Sequence, residues 1–422
     1  MKKLFVSVGL VATGVASVHA AFAPDSTDNS KIWSISGTLR GFYDDNYLTT
    51  PTKHGSAGLE ASPSFSLNVP LQQTEIGVRY TYGLYYYQQR ENNGQDPVDQ
   101  THQFDLWLDH AFTPRWDTRF EDTVVDAQEP ALLTPGASPV AQRVSGDNVA
   151  NTGTFVVKTE WTRLFSTEVT YVNTFYSYQN HNGTALDPSL SGLLDRDENT
   201  IAFDLQWHVA PETTALVGYQ YGQVVYLSSE PIAPAPGGGV FKGSSRDNRS
   251  HYFYVGAQHQ FLDNLTASAK VGAEYTSYYA DTSAGSEWSP YADASLIYTY
   301  AAGSYMQLGV TQSRNATDAV GVNSNGQITQ DQESTVVYGS VNHAITPNLT
   351  ASAVGKFQYS TYNGGQLNDE NAKFYNLGLD LSYAFNRNLS ADVGYNFDWY
   401  TTAAPGQDYT RNRVYLGVTA SY

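Results

Sequence analysis

The side chains that could do chemistry in this 422-residue chain are its nine histidines and its forty-one Asp and Glu residues. Their spacing decides whether they act as ligands, as catalysts or as a lining. His110, His259 and His343 recur at equivalent points of a short repeat, each close to a turn, and none forms the paired i, i+4 arrangement of a zinc helix. The chain has no cysteine, which excludes disulfides and thiolate metal sites. No nucleophile elbow, P-loop or dinucleotide fingerprint occurs, and Asp, His and Ser are scattered without a constellation. We therefore expect no catalytic residue, no metal and no cofactor, and a protein that is not an enzyme. The acidic run Asp195-Arg196-Asp197-Glu198-Asn199 carries oxygen ligands suited to calcium or to cations that bridge lipopolysaccharide, and it also reads as a solvated loop.

What the charged residues do share is a period of two. Arg40, Glu60, Glu75, Arg79, Asp105, Asp109, Asp117, Arg119, Glu121, Lys158, Glu160, Asp204, Lys270, Glu274, Asp293, Lys356, Asp380, Asp392 and Arg413 each fall on the polar face of a segment whose other face is apolar. A packed protein core would not accept so many charges. That face is expected to look at water and to line a channel.

The elements that must position these residues are strands of about 10 residues. In the stretch ending the chain, Tyr375, Leu377, Leu379, Leu381, Tyr383 and Phe385 alternate with polar or small residues. After Asn386-Arg387-Asn388 the pattern resumes at Leu389, Ala391, Val393, Tyr395, Phe397 and Trp399, and it closes with Val414, Leu416, Val418, Ala420 and Tyr422. Alternation over such lengths marks a strand with one greasy and one wet face. The same rule gives strands over 32–43, 57–69 and 76–86, and about 18 along the whole chain, with 16 as the alternative. Lysine or arginine facing the bilayer midplane costs about 2–4 kcal/mol, and none falls in mid-strand on an apolar face. Arg314 and Lys373 sit at strand ends. Asp122 is the exception, for which a bulge or a misphased strand is the expected cause.

A nine-residue repeat joins the strands in pairs. It reads as an aromatic or His, any residue, an apolar residue, three turn residues, then two further same-face positions, as in His110 to Thr118, Trp207 to Ala215, His259 to Ala267, Tyr298 to Met306, His343 to Ala351 and Tyr383 to Ala391, with a weaker copy at Thr159 to Thr167. A three-residue turn would set the first position opposite the ninth and the third opposite the seventh. Between these turns lie long polar connections, Asp126 to Val149, Gln179 to Asn199, Leu227 to Arg249, Arg314 to Glu333 and Tyr362 to Glu370. Short and long connections alternate, the mark of an outer-membrane barrel with short periplasmic turns and long extracellular loops. Aromatic clusters at both strand ends predict two interfacial girdles.

The amino terminus, Met1 to Ala23, has Lys2 and Lys3, an apolar run and small residues at two cleavage points, after Ala20 or Ala23, and reads as a secretory signal. Residues 24–31 form a short lead segment, and 32–422 a single barrel domain. Losing Lys2 and Lys3 takes the formal charge from -18 to -20, which argues against nucleic acid as a partner. The expected fold is all-β, a transmembrane antiparallel up-and-down barrel, since only helices and closed barrels satisfy every backbone group in lipid.

The signal, Asp44-Asp45-Asn46 ending the first strand, hairpins of the form His343-Ala-Ile-Thr-Pro-Asn-Leu-Thr-Ala-Ser and the terminal Tyr422 resemble an outer-membrane porin, and more narrowly the putative beta-barrel porin (type two) family, over the whole mature chain. The resemblance implies an outer-membrane location among lipid and lipopolysaccharide, insertion by the outer-membrane assembly machinery through a terminal signal at Val418, Ala420 and Tyr422, and passive diffusion of small hydrophilic solutes. Carboxylates outnumber basic groups on the wet face, so a mild preference for cations is expected. Alternatives are a component of exopolysaccharide export and a surface adhesin. A homo-oligomer is allowed, and the loop 126–149 is expected to fold inward and narrow the pore.

Overall fold

The computed structural model describes residues 32–127, 147–280 and 284–422. Eighteen strands form one continuous antiparallel sheet. It closes because the first strand, Trp33–Asp44, pairs along one edge with Ser56–Pro70 and along the other with the last, Tyr409–Ser421. The expected signal segment and its cleavage points lie outside the described residues, as does most of the 126–149 connection.

Register explains why each strand keeps two faces. Leu39 lies opposite Ala61 on one side and Val418 on the other, while its neighbour Arg40 lies opposite Glu60 and Gly417. Opposed residues share a face, so the alternation within one strand is carried around the whole barrel. The outer face is apolar and open: Leu39 is 56% exposed and Leu416 66%. An apolar band of this extent on a closed barrel meets lipid. Aromatic pairs border it at the short-turn end, where Trp33 and Tyr422 lie 5.4 Å apart and Trp116 and Trp161 6.1 Å, and at the long-loop end, where Tyr375 stacks on Trp399 at 5.0 Å.

The hairpins keep part of the expected geometry. First and ninth positions of the repeat do face each other, His110 opposite Thr118, His259 opposite Ala267 and His343 opposite Ala351. Third and seventh do not. Phe112, Val209, Phe261, Tyr300, Ile345 and Phe385 fall at a register shift, and the fourth position pairs with the seventh across a two-residue turn, as Thr346 does with Leu349. An extra residue on one strand raises the local twist and lets so tight a turn join two twisted strands.

Two further expectations are corrected. Asp122 is neither bulged nor misphased: the strand Trp116–Ala127 runs in unbroken register against Asn148–Glu160, with Asp122 opposite Gly153 on the outer face. Its Oδ1 accepts from Asn151 Nδ2 at 3.0 Å, so the carboxylate is served by an amide on the neighbouring strand. The run Asp195 to Asn199 is not a solvated loop. Arg196 opens the strand Arg196–Ala210, and Asp195 is buried, accepting from Ser191 Oγ at 2.6 Å and from the Tyr178 backbone N–H at 2.7 Å. Charge density suggested a loop there, but alternation places Arg196 and Glu198 inward and Asp197 and Asn199 outward. Among the described residues no group of His, Asp and Glu is arranged to hold a metal.

Candidate functional site

The register puts the charged residues from Arg40 to Arg413 that were read on the wet face together on the inner face of the barrel, and leaves Asp122 on the outer one. They fall into connected groups, because long side chains on the inner face reach partners on the adjacent strand and across intervening ones. Beside the seam, Arg40 donates from Nε to Asp392 at 2.8 Å and lies 3.3 Å from Glu60, which is also 3.4 Å from Arg413. Tyr415 donates to Asp380 at 3.0 Å. Across the barrel, Asp204 accepts from Lys270 Nζ at 2.8 Å and from the Tyr254 hydroxyl at 2.6 Å, while Asp293 sits opposite Lys270 in the sheet. Glu274 accepts from Thr276 Oγ1 at 3.0 Å, and the Lys356 ammonium lies 5.1 Å over the Phe374 ring.

Nearer the short turns, Arg119 donates to Asp109 at 2.7 Å and lies 3.8 Å from Glu121. Asp117 is opposite Lys158, Glu160 opposite Ser166, and Arg79 opposite Asp105, which accepts from Thr123 at 2.9 Å. Glu75 accepts from Asn68 at 2.9 Å. Further inner-face charges stand outside that set: Asp44, Asp99, Arg196, Glu198, Glu287, Asp398 and Arg411 at the long-loop end, and Glu168, opposite Lys158, nearer the short turns. Carrying each alternation two or three residues past the expected strand end would have found most of them.

Large inner side chains lie across glycines on the adjacent strand. Trp107 covers Gly77, Tyr254 covers Gly218, Tyr338 covers Gly309 and Tyr415 covers Gly394, each directly opposite in register. A Cβ at any of these glycines would stand 2.0–2.2 Å from the ring. Only glycine lets the ring lie flat against the wall, which in turn aims the Tyr254 and Tyr415 hydroxyls at Asp204 and Asp380.

At the long-loop end three connections fold together over the inner wall. Leu193 and Leu194, Ile232 and Ala233, and Ile328 pack with Tyr176 and Tyr178 of the wall into one apolar cluster. The connection 227–247 carries a small hairpin, Pro231–Pro234 against Val240–Lys242. Arg246 ties the cluster: it is fully buried, lies 4.5 Å over Tyr226, donates from Nη1 to Thr317 O at 2.9 Å and from Nη2 to Leu193 O. Burial pushes its pKa down. Glu230 clamps the rim of the same cluster by accepting from the Ser189 hydroxyl and from the backbone N–H groups of Asn182 and Gly183 at 3.0 and 3.1 Å, and these bonds hold its carboxyl below the usual range.

Beneath this cluster lies a cavity of about 180 Å³, bounded by wall residues from Val172 round to Tyr400 and by Leu194, Ala316 and Asp318 of the connections. Arg314, whose strand position suggested an outward rim residue, turns its guanidinium to Glu287 at 2.7 Å and Asp331 at 3.2 Å and borders the same space. Tyr422 ends the last strand with its carbonyl accepting from Ile35 N–H at 3.2 Å, and Val418 faces outward beside it.

A family model described as putative beta-barrel porin 2 matches residues 36–422. No curated protein matches the chain. Among solved structures, OccAB4 of Acinetobacter baumannii is 15% identical, with 94% of this chain and 100% of that one covered and a TM-score of 0.43. OccK9 of Pseudomonas aeruginosa is 12% identical over 92% and 98%, TM-score 0.46. The ferric enterobactin receptor PfeA of the same organism is 12% identical over 92% and 81%, TM-score 0.47.

Proposed function

Starting from the fact that the chain belongs to the putative beta-barrel porin 2 family and is an outer-membrane barrel rather than an enzyme, we propose that it passes small hydrophilic solutes by passive diffusion and favours cations. The observation that carries this reading is the inner face itself. A closed barrel of eighteen strands is wide enough to hold an aqueous channel, and its inner wall is charged where its outer wall is greasy. Carboxylates outnumber basic groups there, both in the set read from sequence and after adding Asp44, Asp99, Glu168, Glu198, Glu287 and Asp398 against Arg196 and Arg411. Fixed negative charge in a low-dielectric wall concentrates cations.

Planar-bilayer recording tests this. A stepwise conductance with a reversal potential displaced toward the cation equilibrium value supports it, and an anion-directed potential removes the selectivity claim. The packed connections at the long-loop end favour one second reading, a barrel occluded until those connections move, and a protein that inserts fully but carries no current would select it. The terminal residues Val418, Ala420 and Tyr422 serve the assembly machinery in this proposal, tested by insertion efficiency after Tyr422 is deleted.

A further inference from the structure

The cavity under the three connections is better furnished than diffusion alone requires. Of its charged lining residues, five are acidic and two are basic: Glu198, Glu274, Asp293, Asp318 and Asp331 against Arg196 and Arg314. Both arginines are engaged, Arg196 with Glu198 at 2.6 Å and Arg314 with Asp331 and Glu287. Lys270, opposite Asp293, gives its ammonium to Asp204. Arg246, behind the lining, acts on Asp318 and Asp331, and with it counted the carboxylates still outnumber the cations among the described residues.

A second, independent observation points to a ligand. Tyr291 and Gln220 are 5% and 2% exposed, both border the cavity, and the Tyr291 hydroxyl and Gln220 Oε1 have no hydrogen-bond partner among the described residues. A buried polar atom left unserved costs about 1–3 kcal/mol, so two beside one cavity mark places where a guest would complete the bonding. Gln220 Oε1 can only accept, and the carboxylates around it can only accept when ionised. The missing partner is a donor. The Tyr252 and Tyr291 rings, 5.3 Å apart and edge to face, add aromatic surface to the same wall, and such faces attract cations.

We propose that this cavity is a binding site for a small organic cation of the amine class, with Asp293 and Glu274 countering its charge and Gln220 and Tyr291 taking its N–H bonds. The inference rests on the cation-preferring reading above and adds a saturable site to it. A neutral polyol would satisfy the hydrogen bonds but not the surplus charge, and so is the competing guest.

The test is calorimetric titration of the full mature barrel in detergent with putrescine as the probe and glucose as the neutral control, alongside bilayer recording of the same preparation. Saturable putrescine binding is expected, weakened about tenfold or more in Asp293→Asn, as loss of a charged hydrogen bond implies, and about fivefold in Tyr291→Phe, which keeps the ring and removes the hydroxyl. Retained heat-modifiable mobility on gels shows that both variants remain folded. Absence of saturable putrescine binding, equal affinity in Asp293→Asn, or saturable binding of glucose instead overturns the site. Cation-selective current without putrescine binding removes the site and leaves the channel. Putrescine binding without any current leaves the site and removes the channel.

Discussion

Arg411 donates from Nε to Asp44 Oδ2 at 2.7 Å, and the two residues, 367 apart in sequence, are both fully buried. They stand on the last and first strands, so this ion pair locks the seam that turns a sheet into a barrel. Asp45 and Asn46 continue the lock. Asp45 accepts from the Asn412 backbone and side chain at 2.7 Å each, and Asn46 Nδ2 donates to Thr410 O at 3.0 Å. Removing one partner of a buried pair strands the other, at a cost of about 3–5 kcal/mol. Asp44→Ala is expected to lower the unfolding free energy in detergent by that order, measured by urea titration. Asp44→Ala with Arg411→Ala should cost less than the two single changes summed, and strict additivity would mean the pair is not coupled.

Glycine opposite tyrosine is a second structural commitment. Gly218 lies under Tyr254 and leaves no space for a Cβ. Gly218→Val is expected to lift the ring, break its bond to Asp204 and destabilise the barrel by about 1–3 kcal/mol, the range for overpacking. Tyr254→Leu in the Gly218→Val background should recover part of the loss. Unchanged urea midpoints in Gly218→Val would show that the ring has room to move.

The division between what could be read and what could not follows from where each residue sits. The strands were legible because lipid outside and water inside force a strict period of two, and nothing in a barrel wall relaxes it. The closing ion pair was not, because Asp44 and Arg411 lie at strand ends where the pattern gives way to polar connections, and pairing across the seam leaves no local trace. The acidic run at Asp195 misled for a related reason: composition spoke for a loop while the alternation of Arg196 to Asn199 spoke for a strand, and burial against Tyr176 and Tyr178 decided it. The apolar pieces Leu190–Leu194 and Pro231–Pro234 lie inside connections that composition marks only as polar. Their meaning depends on three connections meeting, which sequence spacing does not encode.

Arg246 is where those connections meet. Arg246→Ala leaves the carbonyls of Leu193 and Thr317 without their donor, and each bond to a charged group contributes about 1.5–3 kcal/mol. The connections should loosen while the wall stays intact. Single-channel conductance is expected to rise in Arg246→Ala with no change in urea midpoint, and an unaltered conductance would place the narrowest point elsewhere.

Acidity should act on the same region through Glu230. Its carboxyl titrates below the ordinary value because the folded state bonds its charged form, first through Ser189 and then through Asn182 and Gly183. A depressed folded value contributes stability that is present above the unfolded value, about 4.3, and is lost as pH falls through the folded one. Protection of the Asn182 and Gly183 amides, taken relative to the intrinsic exchange rate at each pH, should therefore fall below about pH 4 and should be low at neutral pH in Glu230→Gln. Protection that is high at both pH values in Glu230→Gln would show that the clamp does not depend on this charge.

Asp122 sets the last expectation, because a carboxylate on the lipid side of a strand is a cost unless something offsets it. Asn151 does so in part, and Asn173 continues the polar stripe along the cross-strand row, opposite Gly153 and bonded to Asp197 and to Asn199 at 3.1 Å. Were lipid the only neighbour of this stripe, Asp122→Leu would remove a desolvated acid and stabilise the barrel by about 1 kcal/mol, since acidic residues cost less on the lipid face than the 2–4 kcal/mol of a basic one. That gain is the expected result for the monomer in detergent. A loss of stability instead, accompanied by a smaller particle on size-exclusion chromatography, would mean that the stripe is covered by a second barrel and that Asp122 bonds across the contact.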